Sequence, residues 1–243
     1  MDETSMAFTY GGQKGNVKIT QRQGMFRHRF VEKLSPHERR TSVSLLACIT
    51  NEPNVQQAVP QIFLGSPRVF PKSFLASRRP NMPASMYLWS NESGWMTQDV
   101  CLLLLQAIQI SVTAYLRQYT PIVLMDAHRA HLSEALCATA GHLGMYLLYV
   151  PAKLTWLLQP ADTHLFAQLK HCVRRNYTNA RLRTADGHID RDAWLDAVIT
   201  SLQRTVQGKS YEQAFAANGI THKQQRLCRA IREHIGHNRT DFP

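Results

Sequence analysis

Acidic side chains are scarce: 17 Asp and Glu stand against 28 Lys and Arg in 243 residues, a formal net charge of +11. Such an excess of positive charge points to a polyanionic partner, with nucleic acid ahead of a membrane surface because neither an amphipathic anchor nor a lipidation signal is present. Cysteines are few and odd in number, at positions 48, 101, 137, 172 and 228 with no CxxC pair. That pattern argues against a disulfide framework and a cysteine zinc site, and fits a reducing compartment. No long hydrophobic run occurs. The most apolar stretch, CLLLLQAIQISV at 101–112, is broken by Gln106 and Gln109 and is too short for a bilayer span. Asp2 and Glu3 stand where a secretory signal needs basic and then apolar residues, so an intracellular protein is expected. Internal repeats and low-complexity segments are also missing.

What is present suits one sizeable α/β domain, alone or with a small helical appendage. The chain is organised around residues 121–170. Pro121 to Met125 are near-continuously apolar and read as a strand buried on both faces, which delivers Asp126 at its carboxyl end, where open α/β sheets keep their sites. Met145 to Val150 read as the next strand. A helix entered through Leu158-Gln159-Pro160 follows, running to about 182, with Asp162 in its first turn. Leu165, Phe166, Leu169 and Val173 recur from Asp162 at helical spacing, so Asp162 is expected on the apolar face. A carboxylate facing a sheet is costly without a cation, and a metal shared with Asp126 relieves it. The same residues also fit a first-turn acid favoured by the helix dipole and a strand-end Asp closing a turn. The pattern alone leaves both readings open.

Elsewhere, residues 2–10 form a short strand on which Asp2 and Glu3 face opposite sides. Residues 11–40, Gly-rich and then basic, read as a loop and connection. TSVSLLACIT (41–50) and VPQIFLG (59–65) complete a three-stranded antiparallel meander. Ser66 to Asn91 hold no acid but carry Arg68, Lys72, Arg78 and Arg79 among prolines, the composition of an irregular surface loop, either solvated or tracking a phosphate backbone. Thr97 caps a helix to about Gln118, and further helices are expected at 132–141, 191–207, 211–218 (ending at Gly219) and 223–234. Lys153 lies between Asp126 and Asp162; Lys170, Arg174, Arg175 and Arg181 follow in an acid-free helix; Lys223, Arg226, Arg229 and Arg232 form a second basic cluster. Each set serves equally as a DNA path or as a solvated surface.

MDET at the amino terminus, SNESGWMT (90–97), VLMDAHRAH and LLQPADTHLFAQLK, in that order over most of the chain, resemble the DDE superfamily endonuclease domain of pogo/Tigger-type transposases and their centromere-protein-B-like and Jerky-like relatives. The 35 residues between Asp126 and Asp162 match the interval typical of that superfamily, and YEQAFAANGI resembles the end of the same domain. The resemblance implies an α/β fold of RNase H-like type: three antiparallel strands, then alternating helices and parallel strands. Residues 1–185 would form the catalytic domain and 186–243 a helical C-terminal extension. It implies a catalytic and metal-binding set of Asp2 (chosen over Glu3 by the DET motif), Asp126 and Asp162, holding two Mg²⁺ or Mn²⁺ ions for phosphodiester cleavage and strand transfer on DNA in the nucleus. His128 and His131 would support the second acid. In that family residues precede the first acid on its strand and a separate helix-turn-helix lies upstream, so the first strand is expected to be truncated here. The alternative is an inactive or domesticated remnant that binds DNA or protein. Homo-oligomer formation is left open. Three departures touch the site: Ala127 where a glycine is usual, Leu154-Thr155-Trp156 in place of Thr-Thr-His, and Ala161 before the third acid.

Overall fold

The computed structural model describes residues 1–7, 16–23, 26–33, 42–184, 189–221 and 228–237, with 16–23, 26–33 and 234–237 described by their backbone alone. In chain order the strands are β1 (Asp2–Ala7), β2 (Asn16–Gln23), β3 (Phe26–Lys33), β4 (Ser42–Ala47) and β5 (Gln61–Gly65). Helix α1 (Lys72–Arg78), β6 (Met86–Ser90), α2 (Gln98–Val112), β7 (Ile122–Asp126), α3 (Glu134–His142) and β8 (Tyr146–Val150) follow. The short α4 (Thr155–Leu158) leads into a π-helical turn (Ala161–Leu165) that continues as α5 (Phe166–Arg181). The last elements are α6 (Arg191–Leu202), extended by a second π turn (Gln203–Gln207), α7 (Glu212–Ala217) and α8 (Arg229–His237).

The sheet is mixed. β1 pairs antiparallel with β4 and β4 with β5, which is the expected meander, while β6 adds to β5 in parallel. β7 and β8 pair in parallel, from Ile122 opposite Tyr146 to Asp126 opposite Val150. The two sheets meet where the Met1 ammonium donates to the carbonyl of Leu124 at 2.6 Å. Strand alternation then sorts side chains into two cores. On one face Met6, Val43, Leu45, Ala47, Phe63 and Leu88 meet Leu165, Leu169, Val173 and Trp194 from α5 and α6. On the other Leu46, Ile62, Leu64, Val123 and Met125 meet Leu104, Ile108 and Leu136 from α2 and α3. The Trp194 indole donates to Ala7 at 3.0 Å, tying α6 to the first strand.

Three regions differ from expectation. Residues 16–23 and 26–33, read as connection, pair as antiparallel strands from Asn16 opposite Lys33 to Gln23 opposite Phe26; Val17 and Ile19 alternate with Asn16, Lys18 and Thr20 at the period of a strand. Residues 66–91 carry α1 and β6 rather than an irregular loop; Met86 and Leu88 are buried, and Arg78 is ion-paired with Asp192 and Asp196 instead of free for phosphate. Helix α2, capped by Thr97 as expected, ends at Val112 and passes into a 3₁₀ turn (Thr113–Tyr115). Gln98–Tyr115 has the length and composition to cross a membrane, but here it packs Val100, Leu104 and Ile108 on the sheet. Of the expected helix at 223–234, residues 223–227 lie outside the described residues.

Candidate active site

Asp126 ends β7, and because its strand neighbours Val123 and Met125 belong to the α2 face, Asp126 falls on the α5 face. Asp2 begins β1 on the same face as Met6. The junction between them is held by main chain: Met1 donates to Leu124, and the buried Gln159, in the corner before the third acid, donates through Nε2 to the Met1 carbonyl at 3.2 Å. The Asp162 segment is thereby fastened to the first strand. Burial pushes the Asp2 carboxyl up to about 7; the Asp162 carboxylate adds to this, Asp126 contributes less, and the Met1 ammonium and the Glu3 amide at 2.8 Å act against it. Three acids far apart in sequence thus share one electrostatic neighbourhood.

Asp162 is exposed, which corrects the apolar-face expectation. The π turn supplies the reason. Its wider winding shifts the phase by about one residue, so Ala161 joins Leu165, Leu169 and Val173 in the core and Asp162 is turned outward.

Asp126 is held by His131, whose Nδ1 lies 2.7 Å from Asp126 Oδ1 and 3.0 Å from its carbonyl oxygen. Burial alone would lower the imidazole's affinity for a proton, but the bond to Asp126, helped by the nearby Cys101 thiol, pushes its pKa up to about 10. The ring is therefore charged at neutral pH, and its hydrogen bond holds Asp126 below the usual carboxylate range. The backbone carbonyl of His131 accepts from Tyr149 at 2.9 Å. His128 is exposed, edge-on to His131 at 5.7 Å, and accepts from the Ala130 amide. His164, its proton affinity lowered by burial, meets the Thr163 hydroxyl at 2.7 Å.

The basic residues divide. Lys153 is exposed at a positive φ of 69°, and Arg174 and Arg175 are exposed on α5. Lys170 is half-buried over the Phe166 ring. Arg181, expected on the same stripe, is 5% exposed and packs over Tyr177, so it is not part of that surface. Lys223 and Arg226 lie outside the described residues, and Arg229 pairs with Glu233 at 2.6 Å. Gln159, Tyr149 and Cys101 were not singled out by sequence reasoning; of these only Gln159 carried a signal, its place in the LLQPAD motif.

As donors, three carboxylates suit a hard divalent ion, and their mutual repulsion is the charge deficit that a cation relieves. Among the described residues, though, no group of three or more His, Cys, Asp or Glu is drawn together closely enough to hold a metal ion as the side chains stand.

The family described as DDE superfamily endonuclease matches residues 66–232. This chain belongs to that family. The match contains Asp126 and Asp162, while Asp2 lies ahead of it. The DDE domain is of pogo type. It is 30% identical over 122 residues to the human "Pogo transposable element with ZNF domain", covering 50% of this chain and 9% of that protein. Against the mouse "Pogo transposable element with KRAB domain" it is 23% identical over 97 residues, covering 40% of this chain and 16% of that protein. The aligned part is thus a small fraction of each curated relative. No solved structure matches the chain.

Proposed function

We propose that this DDE domain is a divalent-metal-dependent DNA endonuclease and strand transferase with an RNase H-like core. In this reading Asp2, Asp126 and Asp162 hold Mg²⁺ or Mn²⁺, which when bound supplies Lewis-acid stabilisation of charge at a phosphodiester. The observation that carries the reading is the junction at Met1, which donates to Leu124 beside Asp126 and accepts from Gln159 before Asp162, and so brings Asp2 near enough to the other two acids for them to raise its pKa. His131 keeps Asp126 ionised and oriented, so that acid is ready to coordinate at neutral pH. Asp2 must release its proton before it can do so. Lys153, Lys170, Arg174 and Arg175 provide the path for the DNA backbone, and the helical part from 186 onward is an extension that braces the catalytic part at 1–185 through contacts such as Trp194 with Ala7. A nuclear location follows from a DNA substrate.

The test is nicking of supercoiled DNA in Mg²⁺ or Mn²⁺ by the wild type and Asp126→Ala. Cleavage by the wild type and none by the variant is expected; equal activity in both discards the assignment. A second reading is favoured by one observation, the missing three-donor group among the described residues: a domesticated, inactive domain that binds DNA or protein. Salt-dependent DNA binding by wild type without metal-dependent nicking selects it.

A further inference from the structure

The motif YEQAFAANGI sits at the far end of the chain from the acids, yet its asparagine reaches the corner that carries the third one. Asn218 is 2% exposed. Its Nδ2 donates to the carbonyl of Leu157, ahead of the Gln159-Pro160 corner, and its Oδ1 lies 3.0 Å from the hydroxyl of Thr163, behind it. The Leu157 carbonyl accepts only, which fixes the orientation of the amide. The Thr163 hydroxyl carries one proton and has three acceptor oxygens in reach, the carbonyls of Gln159 at 3.0 Å and Pro160 at 3.4 Å and Asn218 Oδ1; Asn218 Oδ1 can only accept, so the second arm of the contact is the hydroxyl donating to it, shared with the Gln159 carbonyl, while His164 Nδ1 donates to the Thr163 oxygen. Both sides of the corner are pinned by one side chain. Asn218 itself is placed by the end of α7: Gly219, at φ +76°, turns the chain back so that Ile220 donates to Phe215 and Gly219 to Ala216.

We infer that Asn218 is a positioning residue, a buried clamp from the C-terminal helices that holds the π turn bearing Asp162 in place for cation binding. The cation part rests on the function proposed above; the clamp does not. Because Asn218 is uncharged, it restrains the turn without neutralising Asp162, which leaves that carboxylate's charge for a metal.

Two measurements separate the parts. In metal-free protein, amide hydrogen exchange of residues 157–166 is expected to accelerate at least about fivefold in Asn218→Ala, since a buried polar group loses its partner, while exchange in β4 stays unchanged. Thr163→Val, which removes one arm of the clamp together with the hydroxyl's local bonds to the Gln159 carbonyl and His164, is expected to loosen the same segment and serves if Asn218→Ala does not fold; Thr163→Ser, which keeps the hydroxyl, is expected to match wild type. Unchanged exchange at 157–166 in both altered proteins overturns the clamp. Mn²⁺ affinity, read by calorimetry, is expected to fall about 10- to 100-fold in Asn218→Ala, and equal affinity overturns the link to the site. If wild type binds no Mn²⁺, the metal reading and the link fall together, and the exchange data still decide whether the clamp exists.

Discussion

Replacing His131 by Leu removes a buried cation from Asp126 while keeping apolar bulk. The hydrogen bond lost is charge-assisted, 2.7 Å long, and made by a ring that is only 7% exposed to a carboxylate that is 33% exposed. Bonds of this kind contribute about 1.5–3 kcal/mol, and for a domain of this size that is a drop of about 3–12 °C in Tm. The pH dependence identifies the cause. His131 is raised from 6.5 to about 10 in the fold, so its contribution is complete below about pH 6.5 and is lost as the pH climbs through about 10. Asp126 is lowered from 3.8, so its contribution is present above that value and is lost as the pH falls through its folded pKa. The gap in stability between wild type and His131→Leu is therefore widest between about pH 4 and 6.5 and shrinks toward about pH 10. Urea unfolding in EDTA across that range measures it. A gap that stays constant from about pH 6 to 10, or a variant as stable as wild type at about pH 6, refutes the ion pair.

Cation binding is expected to expel close to one proton at about pH 5.5 and almost none above about pH 8.5, because Asp2, at about 7, must ionise first; Mn²⁺ calorimetry in two buffers of different ionisation enthalpy reads this, and a release independent of pH sinks it. Asp162→Asn removes a charge that repels Asp2, so it is expected to raise metal-free stability at about pH 8 by less than about 1 kcal/mol, Asp162 being exposed, and to abolish stabilisation by Mn²⁺. Thermal melts with and without Mn²⁺ check it, and a variant less stable than wild type in EDTA contradicts the repulsion. Among the thiols, Cys137 is exposed whereas Cys48, Cys101 and Cys172 are buried, and burial pushes Cys48 up to about 11. Mass mapping of alkylated native protein is expected to find Cys137 modified first and those three only after unfolding.

The parts of the fold that were legible in the sequence are those whose signal is continuous and local. The apolar run into Asp126 required a strand, Thr97 with a helical apolar period required a capped helix, and the two β-rich runs around NEPN required an antiparallel pair; each stands in the structure within a few residues. β6 was hidden because Met86–Ser90 is short and follows Pro80 and Pro83, so that its pairing with β5, rather than its own pattern, makes it a strand. The pairing of 16–23 with 26–33 was hidden because both strands are rich in Arg, Lys, His and Gln, which composition reads as loop. Arg181 was misplaced because charge suggested surface while Tyr177 gives its guanidinium a ring to lie on. At the site, Asp126 and His131 were visible as a motif, but their ion pair depends on the turn of four residues between them.

Asp162 shows how a local irregularity decides the chemistry available to a residue. Continued as a regular α-helix, the phase of α5 would place its carboxylate among Leu165, Phe166 and Leu169, where an unpaired charge costs several kcal/mol. The π turn gives that core position to Ala161 instead, a residue whose small side chain fits against the sheet, and turns Asp162 outward, within electrostatic reach of Asp2. The departure from a larger apolar residue at 161 and the exposure of Asp162 are thus two sides of one winding. The restraints on the turn, Gln159 to the Met1 carbonyl and Asn218 to Leu157 and Thr163, are all neutral. The cations near the acids are placed differently: His131 is bonded to Asp126, and the Met1 ammonium only partly offsets the burial and repulsion felt by Asp2. The deficit of positive charge therefore lies between Asp2 and Asp162, which is where the proposed divalent ion has most to gain by entering and where the side chains have the most reason to stand apart until it does.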